Sequence, residues 1–273
     1  MTQVQKAEQF RKLHEETKTF VLPNPWDAGT AKALTALGFE ALTTTSAGLA
    51  WTLGRTDGTR SVSRDEALTN AKTIVDATPL PVAADLENGY GDDPQTVAET
   101  IRLAAQAGLV GASIEDATGN ENDPVYAFDF AVERVAAAAK AARSLPFPFM
   151  LVARAENLLQ GIDDLDDTVR RLQAYEAAGA DVLYAPMLPD AEAIQRVVKS
   201  LKKPVNVLAA GPILDMNVSV LAALGVRRIS IGSGFTRVAF SSFIRAARDL
   251  HDNGSFNSIG SSMTFGEIAS LVQ

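Results

Sequence analysis

Short apolar segments recur along the chain, with longer stretches of helical periodicity between them. The segments are near-continuous apolar runs without apolar and polar alternation, which is typical of parallel strands buried on both faces. They predict eight strands, over residues 20–22, 41–44, 81–84, 111–114, 149–153, 182–185, 205–208 and 228–231. The stretches between them predict eight helices, over residues 28–37, 64–76, 96–106, 130–143, 165–177, 191–201, 217–224 and 237–250.

Glycine marks the end of four of the predicted helices. Gly38, Gly108, Gly179 and Gly225 each stand just past a helix and just before a strand. Glycine ends a helix there because it adopts the left-handed conformation without a Cβ penalty. Repeated junctions of this kind indicate repeated αβ units within one fold.

The alternation of elements predicts the fold class. Eight strands alternating with eight helices favour an α/β fold, a (β/α)8 barrel of the TIM type. An open doubly wound sheet is the alternative, but the turn over 23–27 lacks the Gly-x-Gly-x-x-Gly fingerprint of that fold. No Ser/Gly-rich or Pro-rich linker divides the chain, so a single domain over 1–273 is expected. The barrel takes up about 18–250, and a C-terminal helical extension follows over about 251–273.

Composition limits the partners and the chemistry. The formal net charge is −8, which argues against nucleic acid or an anionic membrane, because either needs a basic face. Cysteine is absent, which excludes disulfides, thiolate metal sites and a cysteine nucleophile, and a cytoplasmic protein is the expectation. No apolar run approaches the ~20 residues that span a bilayer, and no apolar signal region is found near the N-terminus.

Acidic side chains follow three consecutive predicted strands, and another lies in the loop after the second strand. In a barrel, the carboxyl ends of the strands form the rim that carries the active site. The residues at these positions are Asp57, Asp85, Glu87, Glu115, Asp116, Arg154 and Glu156. Carboxylates that converge on one rim repel one another unless a cation lies among them. Oxygen ligands without Cys or His favour a hard ion, Mg²⁺ or Mn²⁺.

The residue types missing from the rim narrow the chemistry further. The only histidines, His14 and His251, fall outside the predicted strand ends, so a histidine-based triad or a zinc site is not expected. No lysine ends a strand, which disfavours a Schiff-base aldolase. Metal-assisted chemistry on an acidic substrate remains, with Arg154 offering a rigid fork to a carboxylate or a phosphonate.

The turn over 85–91, Asp-Leu-Glu-Asn-Gly-Tyr-Gly, resembles a motif of the isocitrate lyase/phosphoenolpyruvate mutase superfamily. In that superfamily the third strand carries an acid-x-acid-x-Gly-aromatic-Gly turn. Further matches follow in chain order at 45–48, 53–57, 114–116 and 152–156, so the resemblance extends over most of the chain. On these motifs the chain is identified as a member of the superfamily.

The resemblance implies a Mg²⁺-dependent enzyme, with Mn²⁺ as an alternative ion, that breaks or rearranges a C–C or P–C bond next to a 2-oxo or enol carboxylate. The metal would stabilise the enolate that forms. Asp85 would ligate the metal directly, and Asp57, Glu87 and Glu115 would hold its waters.

The substrate carboxylate would be bound by the loop of Thr45, Ser46 and Ala47, together with Arg154 and Asn206. Asp57, Glu115 and Arg154 are the catalytic candidates. Members of the superfamily form oligomers, usually tetramers, in which a helix after the barrel is exchanged between subunits. The extension, with its apolar segment 265–272, is expected to serve a homotetramer or a dimer in this way.

Two departures from the superfamily pattern leave three functions open. The loop over 117–126, which matches the gating loop of the superfamily, has none of the Cys, Lys and His found in isocitrate and methylisocitrate lyases. It has Thr118, Asn120 and Asn122 but not the Lys of the phosphonate branch. Tyr184 and its neighbours replace the glutamate of the sixth strand. The candidates are a C–C lyase acting on a small 2-oxo or 2-hydroxy dicarboxylic acid, a P–C phosphonomutase or hydrolase, and a non-catalytic 2-oxo-acid binder.

Overall fold

The computed structural model describes all residues, 1–273, and forms a barrel of eight parallel strands surrounded by helices. The strands are β1 Phe20–Leu22, β2 Leu42–Thr43, β3 Val82–Asp85, β4 Gly111–Glu115, β5 Met150–Arg154, β6 Val182–Tyr184, β7 Val205–Leu208 and β8 Arg228–Ser230. The helices are α1 Gln3–Glu15, α2 Ala28–Ala36, α3 Ser46–Thr52, α4 Arg64–Asp76, α5 Pro94–Gln106, α6 Phe128–Arg143, α7 Leu165–Ala177, α8 Ala191–Ser200, α9 Val218–Ala223, α10 Gly234–Asn253, α11 Asn257–Gly260 and α12 Phe265–Leu271. A 3-10 turn, Gly211–Asp215, follows β7.

The strands follow one another around the ring. The ladder order is β1-β8-β7-β6-β5-β4-β3-β2, and every pair is parallel. No ladder joins β1 to β2, but the backbone N–H of Thr43 donates to the carbonyl of Pro23 at 3.0 Å and closes the gap. The predicted α/β barrel is therefore confirmed.

Helix α1 closes the bottom of the barrel, opposite the carboxyl ends of the strands. One apolar face of this helix carries Ala7, Phe10 and Leu13, all of them buried. These side chains belong to one apolar cluster that runs through the inside of the barrel and includes Phe20, Leu22, Met150, Val152, Val182 and Tyr184. A second apolar layer lies between the strands and the outer helices, as in other barrels of this class.

The segment 45–47 is not the loop that the sequence predicts. Thr45 is the N-cap of α3, and its hydroxyl accepts a hydrogen bond from the N–H of Gly48 at 3.2 Å. Ser46 and Ala47 form the first turn of this seven-residue helix. A helix so short has little periodicity to detect, and its apolar sequence continues that of β2.

Helix α10, which leads into the C-terminal extension, is twenty residues long, and most of its side chains are exposed. Val238 and Phe243 are 64% and 69% exposed. An apolar groove of about 610 Å³, lined by Leu214 and Ile231 among others, lies between α10 and the 3-10 turn. Helix α12 returns to the barrel, where Nζ of Lys32 in α2 donates to the carbonyl of Val272. None of the helices has the length and apolar character needed to cross a membrane.

Candidate active site

Arg154 is the centre of a carboxylate cluster at the rim of the barrel. Its Nη1 lies 3.1 Å from Oδ1 of Asp85 and 3.0 Å from Oε2 of Glu115, and its Nε lies 2.9 Å from Oε1 of Glu156. Asp85, Glu115 and Arg154 are the last residues of β3, β4 and β5, three adjacent strands, so the sheet itself brings them together. Nη2 of Arg154 makes no hydrogen bond within the protein. One nitrogen of the guanidinium therefore remains available to an anionic ligand.

Asp85 is fixed on its other side by residues that follow β2. Its Oδ2 accepts hydrogen bonds from the hydroxyl and the N–H of Ser46, at 3.0 and 3.4 Å. Its own N–H donates to Oγ1 of Thr44 at 3.0 Å. Ser46, predicted to contact the substrate, thus contacts Asp85 in this structure.

The turn after β3 adopts a backbone conformation that most residues avoid. Glu87 and Tyr90 have φ values of 47° and 61°, in the left-handed region that is uncommon for non-glycine residues. The turn is held by Asn88, whose Oδ1 accepts from the N–H of Tyr90 at 3.1 Å and whose Nδ2 donates to Oη of Tyr126 at 3.1 Å. Conformations of this kind cluster at functional sites, and here the result is that Glu87 faces a cavity.

That cavity has a volume of about 300 Å³ and lies beside the Arg154 cluster. It is lined by Asp57, Glu87 and Glu115 together, three of the acids predicted for the site. The loop after β4, which the resemblance identifies as the gating loop, contributes Asn120 and Glu121. The size is that of a small-molecule site.

The acids of the cavity are held in an environment with excess negative charge. Burial raises the pKa of Asp57, and the charge of Asp85 raises it further. Burial and the charges of Asp85 and Asp57 raise the pKa of Glu87 to about 7. Burial also raises the pKa of Glu115 well above its ordinary value, although Arg154 opposes this shift. The common cause is burial, and the charges of neighbouring carboxylates at the rim raise these pKa values further.

The residues present fit a hard divalent cation by their chemistry, although no three of the acids are arranged to hold a metal directly. Asp85 and Glu115 are both turned onto Arg154. Mg²⁺ does not need three carboxylates as direct ligands, because it keeps several waters and takes only one or two carboxylates. The donors are oxygens without Cys or His, and the raised pKa values of Asp57 and Glu87 indicate negative charge that a cation would compensate.

Three other predicted substrate residues do not line the cavity. Asn206 of β7 is fully buried inside the barrel, where its Nδ2 donates to Oγ of Ser230 at 2.9 Å and its Oδ1 has no partner. The side-chain oxygen of Thr45 accepts from the backbone of α3. Ala47 makes no hydrogen bond to the acids. The roles proposed for these residues therefore remain predictions.

Tyr184 lies at the position where the resemblance to the superfamily predicts a glutamate. It is the last residue of β6, and its ring lies under the guanidinium of Arg154, with Cζ 4.9 Å from the ring centroid. An aromatic face attracts a cation electrostatically without hydrogen bonding to it. The substitution thus keeps Arg154 in position without adding another carboxylate.

A buried network behind the rim supports the cluster. Oδ1 of Asp116 accepts from the N–H of Glu156 at 2.8 Å, and its Oδ2 accepts from Oη of Tyr175 at 2.5 Å and from Nη1 of Arg171 at 3.1 Å. Asp116, a weak site candidate from sequence, thus positions Glu156, which in turn holds Arg154. The sequence analysis does not predict Tyr175 and Arg171 as parts of the site. The only sign of such a role is that both polar side chains lie on the buried face of α7.

The family model for phosphoenolpyruvate phosphomutase matches residues 10–251 of this chain. The 2-methylisocitrate lyase of Shewanella oneidensis (strain MR-1) is similar, with 26% identity over 253 residues, which are 90% of this chain and 85% of that protein. The range matched by the family model includes all eight strands and every residue of the cluster around Arg154.

Solved structures agree with this assignment. A crystal structure from Burkholderia cenocepacia J2315, of a protein inferred to be a lyase or mutase, is 51% identical; it covers 98% of this chain and 95% of its own, with a TM-score of 0.94. Oxaloacetate acetylhydrolase in complex with its product oxalate is 26% identical; it covers 98% of this chain and 93% of its own, with a TM-score of 0.87. The chain therefore belongs to the phosphoenolpyruvate mutase/isocitrate lyase superfamily and is an enzyme of its lyase and mutase class.

Proposed function

We propose that this enzyme is a Mg²⁺-dependent lyase that cleaves a carbon–carbon bond in a small 2-oxo or 2-hydroxy dicarboxylic acid. The observation that carries the proposal is the shared cavity: Asp57, Glu87 and Glu115 line it, and Arg154 lies beside it with a free Nη2. A site with unneutralised carboxylates and one free guanidinium nitrogen suits an anionic substrate that arrives with a cation.

The protein's own residues would bind and orient the substrate. Nη2 of Arg154 would bind a substrate carboxylate, because Nη1 and Nε are already occupied by Asp85, Glu115 and Glu156. Binding of that carboxylate would hold the scissile bond in one orientation. Fixed orientation of the reacting groups supplies much of the rate acceleration of such sites. Ser46 would keep Asp85 in place.

Asp85 would ligate Mg²⁺, or Mn²⁺ as the alternative, while Asp57, Glu87 and Glu115 hold its waters. When bound there, the ion would supply Lewis-acid polarisation of the substrate carbonyl and stabilise the negative charge of an enolate.

The relatives and the charge of the cavity favour carbon–carbon cleavage. Oxaloacetate acetylhydrolase carries a name that describes action on a dicarboxylic acid, and the similar 2-methylisocitrate lyase is named for a tricarboxylic acid. A phosphonate carries more negative charge than a carboxylate and would need more cationic side chains than this carboxylate-rich cavity offers.

A P–C phosphonomutase or hydrolase is the second candidate. The match to the phosphoenolpyruvate phosphomutase family model and the position of Asn120 in the cavity wall support it. Phosphorus NMR of the enzyme with phosphonopyruvate separates the two candidates. Only a phosphonomutase or hydrolase would break the P–C bond and so replace the phosphonate resonance of the substrate.

Replacement of Asp85 by Asn tests the proposal. We expect metal-dependent cleavage of a panel of 2-oxo and 2-hydroxy dicarboxylic acids to fall by about 100-fold or more, because the group that binds the cation is lost. Asp76→Asn is the matched control, since Asp76 is exposed and pairs only with Lys72.

Full activity of Asp85→Asn with unchanged metal dependence would contradict the proposal. Tight binding of 2-oxo acids by the wild-type protein, without turnover of any member of the panel, would instead support a non-catalytic binder.

We also propose that the enzyme is a homo-oligomer, a tetramer or a dimer, in which α10 packs on a second subunit. The exposed apolar side chains of α10 and the apolar groove beside it support this arrangement. The small acids proposed as substrates and the cysteine-free composition fit a cytoplasmic enzyme, which cell fractionation would test.

A further inference from the structure

Arg60 enters the proposed active site from the loop after α3, three residues beyond Asp57. Its backbone is left-handed, with φ 54°, a conformation that costs free energy for a side chain of this size. Its side chain lines the same cavity as Asp57, Glu87 and Glu115. A strained backbone thus brings a cation to the wall of a cavity that is otherwise acidic.

The guanidinium of Arg60 is only partly used by the protein. All of its hydrogen bonds leave from Nη2, which donates to Oδ1 of Asp92 at 2.7 Å, to Oη of Tyr126 at 3.3 Å, and to the carbonyl of Thr118. Neither Nε nor Nη1 has an acceptor. One nitrogen fixes the side chain, and the other two remain free to bind a ligand.

Arg60 is the single cationic side chain among the residues that line this cavity, against four carboxylates: Asp57, Glu87, Glu115 and Glu121. Arg154 lies in the cluster beside the cavity, and three acids contact it. A dicarboxylic substrate whose first carboxylate is bound beside Arg154 still carries a second negative charge. Arg60 is the group in this wall that can neutralise it.

The gating loop is built around the Arg60 side chain. Gly119 has φ 75°, and a Cβ at that position would lie 3.1 Å from Nε of Arg60. The carbonyl of the preceding residue, Thr118, accepts from Nη2. The loop therefore closes onto Arg60, although it carries no Lys, Arg or His of its own.

We infer that Arg60 determines specificity: it binds the second acidic group of the substrate and so selects dicarboxylic over monocarboxylic 2-oxo acids. This inference rests on the proposed function and adds to it the group that recognises the far end of the substrate.

The experiment compares the affinities of two probes that differ by one carboxylate, pyruvate and oxaloacetate, measured by titration calorimetry with Mg²⁺ present. Arg60→Gln removes the charge, and Arg60→Lys keeps the charge without the guanidinium fork. Arg102→Gln is the matched control, because Arg102 lies on α5 and pairs only with Glu99. We expect Arg60→Gln to weaken oxaloacetate binding by about 10- to 100-fold and to leave pyruvate binding unchanged. Arg60→Lys should show a partial loss.

The outcomes separate this inference from the function on which it rests. If the wild-type protein binds neither probe with Mg²⁺, the proposed function fails and the role of Arg60 fails with it. If pyruvate binds and Asp85→Asn abolishes that binding, the proposed metal and substrate site stands, and the turnover assay of the wild-type protein separately decides whether the site cleaves its ligand. An Arg60→Gln variant that then weakens both probes alike, or neither, overturns the role of Arg60 alone.

Discussion

His14 shows how far burial changes the chemistry of a single side chain. It is buried at the bottom of the barrel, where its Nδ1 lies 2.8 Å from the carbonyl of Phe10 and its Nε2 has no partner. Burial, followed by the positive charge of Arg228, lowers the pKa of His14 from 6.5 to about 3. Arg228 is itself buried, with Nε and Nη1 unpaired, so protonated His14 would add a second unpaired cation.

The folded protein should therefore lose stability as the pH falls from about 6.5 towards 3. The unfolded chain binds a proton at His14 in this window and the folded protein does not, so acid favours unfolding by up to about 1.4 kcal/mol per pH unit. Urea unfolding of the wild type and His14→Gln at several pH values between 7.5 and 4.5 measures the effect. The difference between the two free energies should shrink as the pH falls.

The other histidine provides the control. His251 lies at the end of α10 with its side chain 87% exposed, and His251→Gln should follow the wild type at every pH. A constant difference between wild type and His14→Gln would show that His14 does not cause the acid sensitivity.

Among single residues, the sequence predicts those site residues that lie at the ends of strands. Asp85, Glu115 and Arg154 end adjacent strands, so their meeting follows once the barrel is recognised. Arg60 could not be predicted, because its approach to the cavity depends on the path of a loop and on a left-handed backbone that nothing in the local sequence requires. The sequence predicts Asn206 as a substrate residue. The order of the strands alone does not show that this side chain is buried inside the barrel.

Helix α3 connects local packing to the site, because it carries the Ser46 that holds Asp85. Gly48 lies on its first turn, at a close approach to neighbouring elements. A Cβ there would lie 2.5 Å from Cγ2 of Thr45, 2.8 Å from Oγ1 of Thr236 and 3.1 Å from Cβ of Trp26. No side chain larger than that of glycine fits unless α3 moves.

Gly48→Ala should therefore destabilise the protein by about 1–3 kcal/mol and reduce activity, since the displacement of α3 moves Ser46 relative to Asp85. Urea unfolding and a turnover assay on the same preparation measure the two effects. Gly266→Ala in α12 is the matched control, because nothing lies within 4 Å of its added methyl group; it should be neutral or stabilise by up to about 1 kcal/mol. Equal behaviour of the two variants would argue against the crowding of α3.

The elements were predictable where their pattern is long or strongly marked. Helix α4 matches its prediction because Ser63 and Glu66 form a capping box at its start. The sequence does not predict helix α3, because seven residues are too few to show helical periodicity. It predicts the start of α10 at residue 237, three residues too late, because Gly234 at the true start is a weak helix former. β2 has only two ladder residues, and the hydroxyl of the next residue, Thr44, accepts a hydrogen bond from the N–H of Asp85.

For the whole molecule, α10 carries more exposed large apolar side chains than any other element: Phe235, Val238, Phe240, Phe243, Ile244 and Leu250. We expect the wild-type protein to be larger in solution than the 29.0 kDa of one chain, because exposed apolar surface of this kind is rarely left uncovered. Phe243→Ser should shift its mass towards that of one chain in light scattering after size exclusion. Leu37→Ser is a matched control, since Leu37 is similarly exposed, at 65%, but stands apart from α10. An unchanged mass for Phe243→Ser would exclude this face as the interface.

The position of α1 also bears on how the chain is assembled during synthesis. This helix is synthesised well before Met150 and Val182, which belong to the apolar cluster that its buried face joins. Helix α1 can thus pack only after the later strands of the barrel have been made. Because α1 lies at the bottom of the barrel, a tag fused before Met1 would lie at the opposite end from the acidic cavity. The tag would therefore not block the access of substrate to that cavity.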